Sequence, residues 1–139
     1  MANTIHIDIV SAEGQIFSGE ATRVFVPGSQ GELGIYPRHA PLLTTLTAGE
    51  VRVETEGQEE QSFFVGGGAM EIQPHLVTVL ADTAVRAQDL DEAAALAAKQ
   101  RAEDAVRNRS DKLDIAEAQA ELVRALAQLR AIQRLRKKH

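Results

Sequence analysis

Two hydrophobic periods divide this chain. Up to about Ala84, apolar residues recur at every second position. Ile5, Ile7 and Ile9 alternate with His6 and Asp8, the mark of a strand with one buried face. Val24 and Val26 flank Phe25, and Val51 and Val53 alternate with Arg52 and Glu54. Phe63-Phe64-Val65, Ala69-Met70-Glu71-Ile72 and Leu76-Val77-Thr78-Val79-Leu80 are further short runs. Turn residues separate them: Glu13-Gly14, Pro27-Gly28, Ala48-Gly49, Glu56-Gly57-Gln58 and Gln73-Pro74-His75. Many short strands at this spacing predict a sandwich or barrel. No crossover long enough to join parallel neighbours intervenes, so the sheets are expected to be mainly antiparallel.

From Asp89 the period becomes helical. Asp89-Leu90-Asp91-Glu92 reads as a helix start, an Asp N-cap with Glu three residues on. An alanine-rich stretch runs to about Arg107, and Asn108-Arg109-Ser110-Asp111 breaks it. Asp114-Ile115-Ala116-Glu117 repeats the capping pattern, and a second helix continues to about Arg136 with Ile115, Leu122, Leu126 and Leu129 on one stripe. A short polar joint predicts an antiparallel hairpin. Ala93, Ala94, Ala97, Ala98 and Ala105 are expected to face Ala118, Ala125 and Ala127 in a close seam. At about 0.8 kcal/mol per buried methylene, such a seam holds less firmly than a leucine one. The expected architecture is therefore β + α: an antiparallel β-sandwich or barrel over residues 1–86, then a two-helix hairpin over 87–139.

Composition narrows the chemistry. The chain has 139 residues, room for one small domain with an appendage, and 44% are hydrophobic. Four Phe, one Tyr and no Trp leave a core of Val, Ile, Leu and Ala. The absence of cysteine excludes disulfides, thiolate zinc sites and a cysteine nucleophile. Met1-Ala2-Asn3-Thr4 lacks a basic region followed by an apolar stretch, and no apolar run approaches membrane-spanning length, so a soluble cytoplasmic protein is expected. The net charge of −5 is uneven. Residues 1–86 hold eleven acids and four bases, residues 87–113 six and five, and residues 114–139 three and six. An acidic body with a basic tail, Arg124, Arg130, Arg134, Arg136, Lys137 and Lys138, reads either as a solvated last helix or as a docking surface for an acidic partner.

Catalytic signatures fail at their spacing. Gly28-Ser29-Gln30-Gly31-Glu32-Leu33-Gly34 lacks the Lys-Ser/Thr ending of a phosphate loop and lies between strands. Gly66-Gly67-Gly68 precedes a strand, which suits a bulge or close backbone packing. His6, His39, His75 and His139 have no metal-like partner three or four residues away, so no metal or cofactor is expected. No Gly-x-Ser-x-Gly elbow exists. Nucleic acid is disfavoured, since no aromatic residues interleave the tail's bases and the body would repel phosphate.

One segment carries a resemblance. Gly31-Glu32-Leu33-Gly34-Ile35-Tyr36-Pro37-Arg38-His39-Ala40-Pro41-Leu42-Leu43 is similar to the signature of bacterial F-type ATP synthase epsilon subunits. Val10-Ser11-Ala12-Glu13 through Phe17-Ser18-Gly19 agrees in order and spacing. So do Phe64 to Gly68 with Glu71 to Pro74, and Val77 to Ala84 leading into Asp89 to Ala93. The resemblance covers essentially the whole chain and is looser through the hairpin.

It implies a sandwich that grips the gamma subunit, sits on the membrane c-ring, rotates with both and helps couple proton flow to ATP synthesis. It implies a hairpin that either folds on the sandwich or extends toward the alpha/beta catalytic hexamer to restrain hydrolysis. The subunit would not itself be an enzyme, and would lie peripherally on the cytoplasmic face of the plasma membrane as part of the complex, with no membrane insertion of its own. Glu32 and His39 match positions that face the c-ring, and Tyr36 joins them on what is expected to be an exposed loop. The basic face of the second helix, Arg124, Arg130, Arg134 and Arg136, matches by region the surface that meets the catalytic beta subunit. Some members bind ATP through Ile or Leu, Asp, two free positions, Arg and Ala. Here the run is Leu90-Asp91-Glu92-Ala93-Ala94-Ala95, with Ala94 in the Arg slot, so ATP binding is expected to be weak or absent. A free nucleotide sensor on the same fold and an unrelated carbohydrate-binding sandwich are the alternatives. Ala94 argues against the first and the scarcity of aromatic residues against the second.

Overall fold

The computed structural model describes residues 3–108 and 112–138. The chain divides into two compact units, Met1–Arg86 and Ala87–His139. The first holds eight strands: β1 Ile5–Ser11, β2 Gly14–Ala21, β3 Arg23–Gly28, β4 Gly31–Ile35, β5 Leu42–Glu54, β6 Gln61–Gln73, β7 Leu76–Ala81 and β8 Ala84–Arg86. They form one hydrogen-bonded sheet in the order β2-β1-β7-β6-β5-β3-β4, with β8 also on β6. The sheet folds over into the two layers of a sandwich.

Strands β5 and β6 run 13 residues each and serve both layers. The first half of β6 pairs with β8 through Phe63, Phe64 and Val65, and its second half pairs with β7 from Gly68 to Gln73. The change of partner falls at Gly66-Gly67-Gly68. Gly67 and Gly68 have φ of 102° and 139°, where L side chains are strained. A Cβ on Gly68 would stand 2.2 Å from the Leu80 carbonyl oxygen. The triple glycine is therefore a site of close backbone packing against β7.

Alternation sets the core. Ile7 faces Val77 and Ile9 faces Val79, while Met70 and Ile72 continue the row on β6. Val24, Val26, Ile35, Val51, Val53, Phe63 and Val65 supply the opposing inner face, and all are fully buried. The Phe17 and Phe63 rings meet across the layers with centroids 5.0 Å apart. The one parallel ladder, β1 with β7, joins strands distant in sequence, while the other pairs are antiparallel. Glu59 and Glu60 sit in the connection before β6.

The second unit opens with a 3-10 turn, Ala87–Asp89, followed by α1, Glu92–Asn108, and α2, Lys112–Lys138. The N-cap of α1 is Asp91, not the expected Asp89. Its Oδ1 accepts from the Ala94 amide at 3.2 Å. The second helix starts at Lys112, ahead of the expected Asp114 cap. Of the expected break at Asn108-Arg109-Ser110-Asp111, Asn108 is the last residue of α1, and the other three, with His139, lie outside the described residues. Arg136, late in α2, pairs with Glu92 at the start of α1, so the helices run antiparallel.

The seam differs from the sequence reading. Ala95 and Ala102 are the buried alanines of α1, with Ala98 and Ala105 half-buried, whereas Ala93, Ala94 and Ala97 are exposed. On α2, Ala118, Ala125 and Ile132 are buried at seven-residue spacing, with Leu122 and Leu129 half-buried between them. Ala127 and Ala131 are also buried, while Leu126 is 37% exposed. An alanine run offers little hydrophobic contrast, so its phase is fixed by the cap and by the partner helix.

Candidate functional site

The stretch that drew attention in sequence begins on a strand and ends in a turn. Glu32 lies on β4, not in a loop. Two positions on, Gly34 opposes Phe25 of β3, so Glu32, Gly34 and Tyr36 share the outward face with Phe25. Arg52 of β5 pairs with Phe25 in the neighbouring register, its guanidinium carbon 4.5 Å from the ring centroid. The same guanidinium forms an ion pair with Glu32. Arg23, also over the Phe25 ring at 5.7 Å, pairs with Glu54. Hydrogen bonding to Glu54 foremost, and to Tyr36 next, raises the Arg23 pKa above its ordinary value. Glu32 thus stands in a lattice of two arginines, a phenylalanine and a tyrosine. Sequence reasoning missed Arg23, Phe25 and Arg52 because they reach Glu32 only through strand register.

After Tyr36 the chain turns sharply. The His39 amide donates to the Tyr36 carbonyl at 3.2 Å, closing a four-residue turn with Pro37 second and Arg38 third. Arg38 has φ of 67°, the left-handed value that the third position of a type II turn requires. Its amide donates to the Pro74 carbonyl at 2.9 Å, pinning the turn to the β6–β7 connection. The half-buried His39 ring is tied by Nδ1 to the Ala40 carbonyl at 2.7 Å. Of the three residues expected on one exposed loop, Tyr36 and His39 occupy it and Glu32 is the strand residue leading in.

Beyond the turn come exposed apolar side chains. Leu42, Leu43 and Tyr36 are exposed, Leu43 to 74%. Leu43 pairs with Glu71, and Glu71 with Thr78; one row on, Thr45 pairs with Ala69 and Ala69 with the exposed Leu80. The outer face of β5, β6 and β7 therefore carries the exposed Leu43 and Leu80 among Glu71, Thr45 and Thr78. Farther along that face, His6 Nε2 lies 3.0 Å from Asp8 Oδ1 and 3.0 Å from Ser18 Oγ. The Ser18 hydroxyl donates to Asp8 at 2.7 Å. A serine that donates to a carboxylate is held as a hydroxyl, and the group acts as a cross-strand clasp between β1 and β2.

On the hairpin, three of the four arginines read from sequence as one basic face share a side of α2. At about 100° per residue, Arg124, Arg130 and Arg134 fall within about a third of the circumference, while Arg136 lies about a third of a turn or more from each of them. Arg136 holds Glu92. Arg124 lines a shallow groove between the helices with Ala98, Arg101, Glu121, Ala125 and Gln128. At the expected nucleotide motif, Leu90 is half-buried, Asp91 caps α1, Ala94 is exposed and Ala95 packs in the seam. Among the described residues, no three His, Cys, Asp or Glu converge to hold a metal, and no helix is long and apolar enough to cross a membrane.

Comparison with known proteins accounts for both units. Residues 4–87 match the beta-sandwich domain of the ATP synthase delta/epsilon chain, and residues 88–133 match its long alpha-helix domain. The chain is 62% identical over 138 residues to the ATP synthase epsilon chain of Nitrosococcus oceani, with 99% of each chain covered. It is 58% identical over 137 residues to ATP synthase epsilon chain 1 of Methylococcus capsulatus, covering 99% of this chain and 98% of that one. Among solved structures, a chain of the Euglena gracilis mitochondrial ATP synthase, in an OSCP/F1/c-ring assembly, shares the fold. Its TM-score is 0.85 at 17% identity, over 94% of this chain and 82% of that one.

Proposed function

The chain belongs to the delta/epsilon family of ATP synthase subunits, with bacterial epsilon chains as full-length relatives, and we propose that it is the non-catalytic rotor subunit of the central stalk. In this reading it couples proton flow to synthesis and restrains hydrolysis through its helices. The observation that carries it is the end-to-end match, sandwich and hairpin together, to epsilon chains at 62% identity.

The partners follow from the surfaces. The sandwich surface that bears the exposed Leu43 and Leu80 is assigned to gamma. Glu32 and the turn carrying Tyr36 and His39 are assigned to the polar loops of the c-ring. Arg124, Arg130, Arg134 and Arg136 are assigned to the alpha/beta hexamer. The site is peripheral, on the cytoplasmic face of the plasma membrane. ATP is not expected to regulate the isolated chain, because the exposed methyl of Ala94 offers no donor to a phosphate. Calorimetric titration giving micromolar affinity would overturn that point.

The test is ATPase activity of epsilon-free catalytic complex with the full chain and with a chain ending at Arg86. Inhibition by the full chain and relief by the truncation support a rotor subunit with a helical brake. Binding of both forms with equal activity removes the brake, and binding of neither sinks the assignment.

A further inference from the structure

Arg52 and Glu32 are paired without being neighbours. Strand β3 lies between their two strands, so about 10 Å of sheet separates the backbones. The ion pair forms because the arginine crosses β3 over the Phe25 ring, its guanidinium carbon 4.5 Å from the ring centroid. Register makes the crossing possible. Gly34, Phe25 and Arg52 form one row on the outward face. A Cβ on Gly34 would stand 3.3 Å from Phe25 Cε1, so the glycine lets the ring lie close over β4. The ring is then a floor for the guanidinium, and its face attracts a cation.

The two partners are unequally covered. The Arg52 side chain is 25% exposed and the Glu32 side chain 57%. The arginine is packed in place, and the carboxylate it holds stands open to solvent. Glu32 lies on an edge strand of five residues, at the end of the sheet order. A glutamate in such a place has a flexible stem, and fixing a rotamer-rich side chain on binding costs about twofold to tenfold in affinity. Here the fixing is done before any partner arrives. Tyr36, farther along the same face, is treated alike: Arg23 hydrogen-bonds to it and lies 5.7 Å over the same Phe25 ring.

We propose that Arg52 is a positioning residue for the contact made by Glu32, fixing its carboxylate in advance by stacking on Phe25. This rests on the reading that assigns Glu32 to the polar loops of the c-ring. The arginine acts through the glutamate and meets no partner itself. A lysine would keep the charge but not the planar stack.

The experiment measures the affinity of the full chain for two epsilon-free complexes, one with the c-ring and one of alpha, beta and gamma alone. The ratio of the two affinities isolates the c-ring contact. Wild type is compared with Glu32→Gln, Arg52→Gln, Arg52→Lys, Phe25→Leu and a chain carrying both Glu32→Gln and Arg52→Gln, and the melting temperature of each free chain is recorded. Glu32→Gln is expected to lower the ratio. Arg52→Gln and Phe25→Leu should each lower it about twofold to tenfold. Phe25→Leu leaves every charge in place, so its loss separates positioning from charge. Arg52→Lys should fall between wild type and Arg52→Gln. In the Glu32→Gln background, Arg52→Gln should add nothing. A purely structural role would lower both affinities alike and would persist in that background. An unchanged or raised ratio for Arg52→Gln, or a loss that adds in full to that of Glu32→Gln, overturns the inference and leaves the c-ring reading standing. A wild-type ratio for Glu32→Gln, or no gain from the c-ring for wild type, overturns that reading and this inference together.

Discussion

Replacing Gly68 by alanine adds one methyl group where β6 changes partners, and the structure fixes what that group meets. Its Cβ would stand 2.2 Å from the Leu80 oxygen, 2.9 Å from the Ala81 Cα and 3.1 Å from the Leu80 carbonyl carbon. All three are backbone atoms of β7 and cannot rotate away. The φ of 139° adds strain of about 1–3 kcal/mol for an L residue. Relief requires β7 to move off β6 at the Gly68–Ala81 pair, with the loss of one or two ladder hydrogen bonds at about 1 kcal/mol each. The expected cost is about 3–5 kcal/mol, a large part of a typical 5–15 kcal/mol stability. Gly57 is the control. At φ 77° with nothing within 4 Å of a built Cβ, it reports backbone strain alone, and Gly57→Ala should cost about 1–2 kcal/mol. Urea unfolding followed by the methyl NMR signals of Met70 and Val79 reads both in the sandwich core. A Gly68→Ala cost no greater than that of Gly57→Ala would refute the close-approach argument.

Other expectations follow from single contacts. Phe63→Ala, which empties a fully buried position against Phe17, should cost about 3–5 kcal/mol in the same urea assay. Asp91→Ala removes the acceptor of the Ala94 amide and should cost about 1 kcal/mol, read as faster hydrogen exchange in the first turn of α1 with the sandwich unaffected. Ala102→Leu overfills the fully buried centre of the alanine seam and should destabilise the hairpin by about 1–3 kcal/mol, seen as loss of exchange protection in α1 and α2.

The sequence was most legible where a single face is buried. The Ile5-Ile7-Ile9 alternation placed β1 because its other face is only partly covered. Strand β2 escaped notice because it lies at the sheet edge, with most positions exposed or half-exposed on both faces. Strand β4 contributes Gly31 and Gly34, and was read as turn. Gly66 to Gly68 made one 13-residue strand look like two short ones. In the hairpin, both helices were legible but the seam was misplaced, because neighbouring alanines carry no phase. At the candidate site, family likeness marked Glu32, Tyr36 and His39. The lattice around Glu32 depends on Arg23, Phe25 and Arg52, brought in by strand register, and the turn at Arg38 depends on a dihedral angle. Neither has a linear signature.

The place of β7 in the sheet bears on how the chain acquires its fold during synthesis. Strands β1 and β2 emerge first and can pair at once, as can β5 and β6 across their short connection. In the finished sheet these two hairpins are held together by β7, which is made later than both and lies between β1 and β6. Until it arrives, β1 presents a bare edge and an apolar row of Ile5, Ile7 and Ile9, the features through which nascent chains associate. Strand β7 is the keystone: it closes the interior of the sheet rather than extending its rim. A chain cut before Leu76 should therefore carry two unjoined half-sheets, and the stage before β7 is available is the one at which chaperone binding counts most.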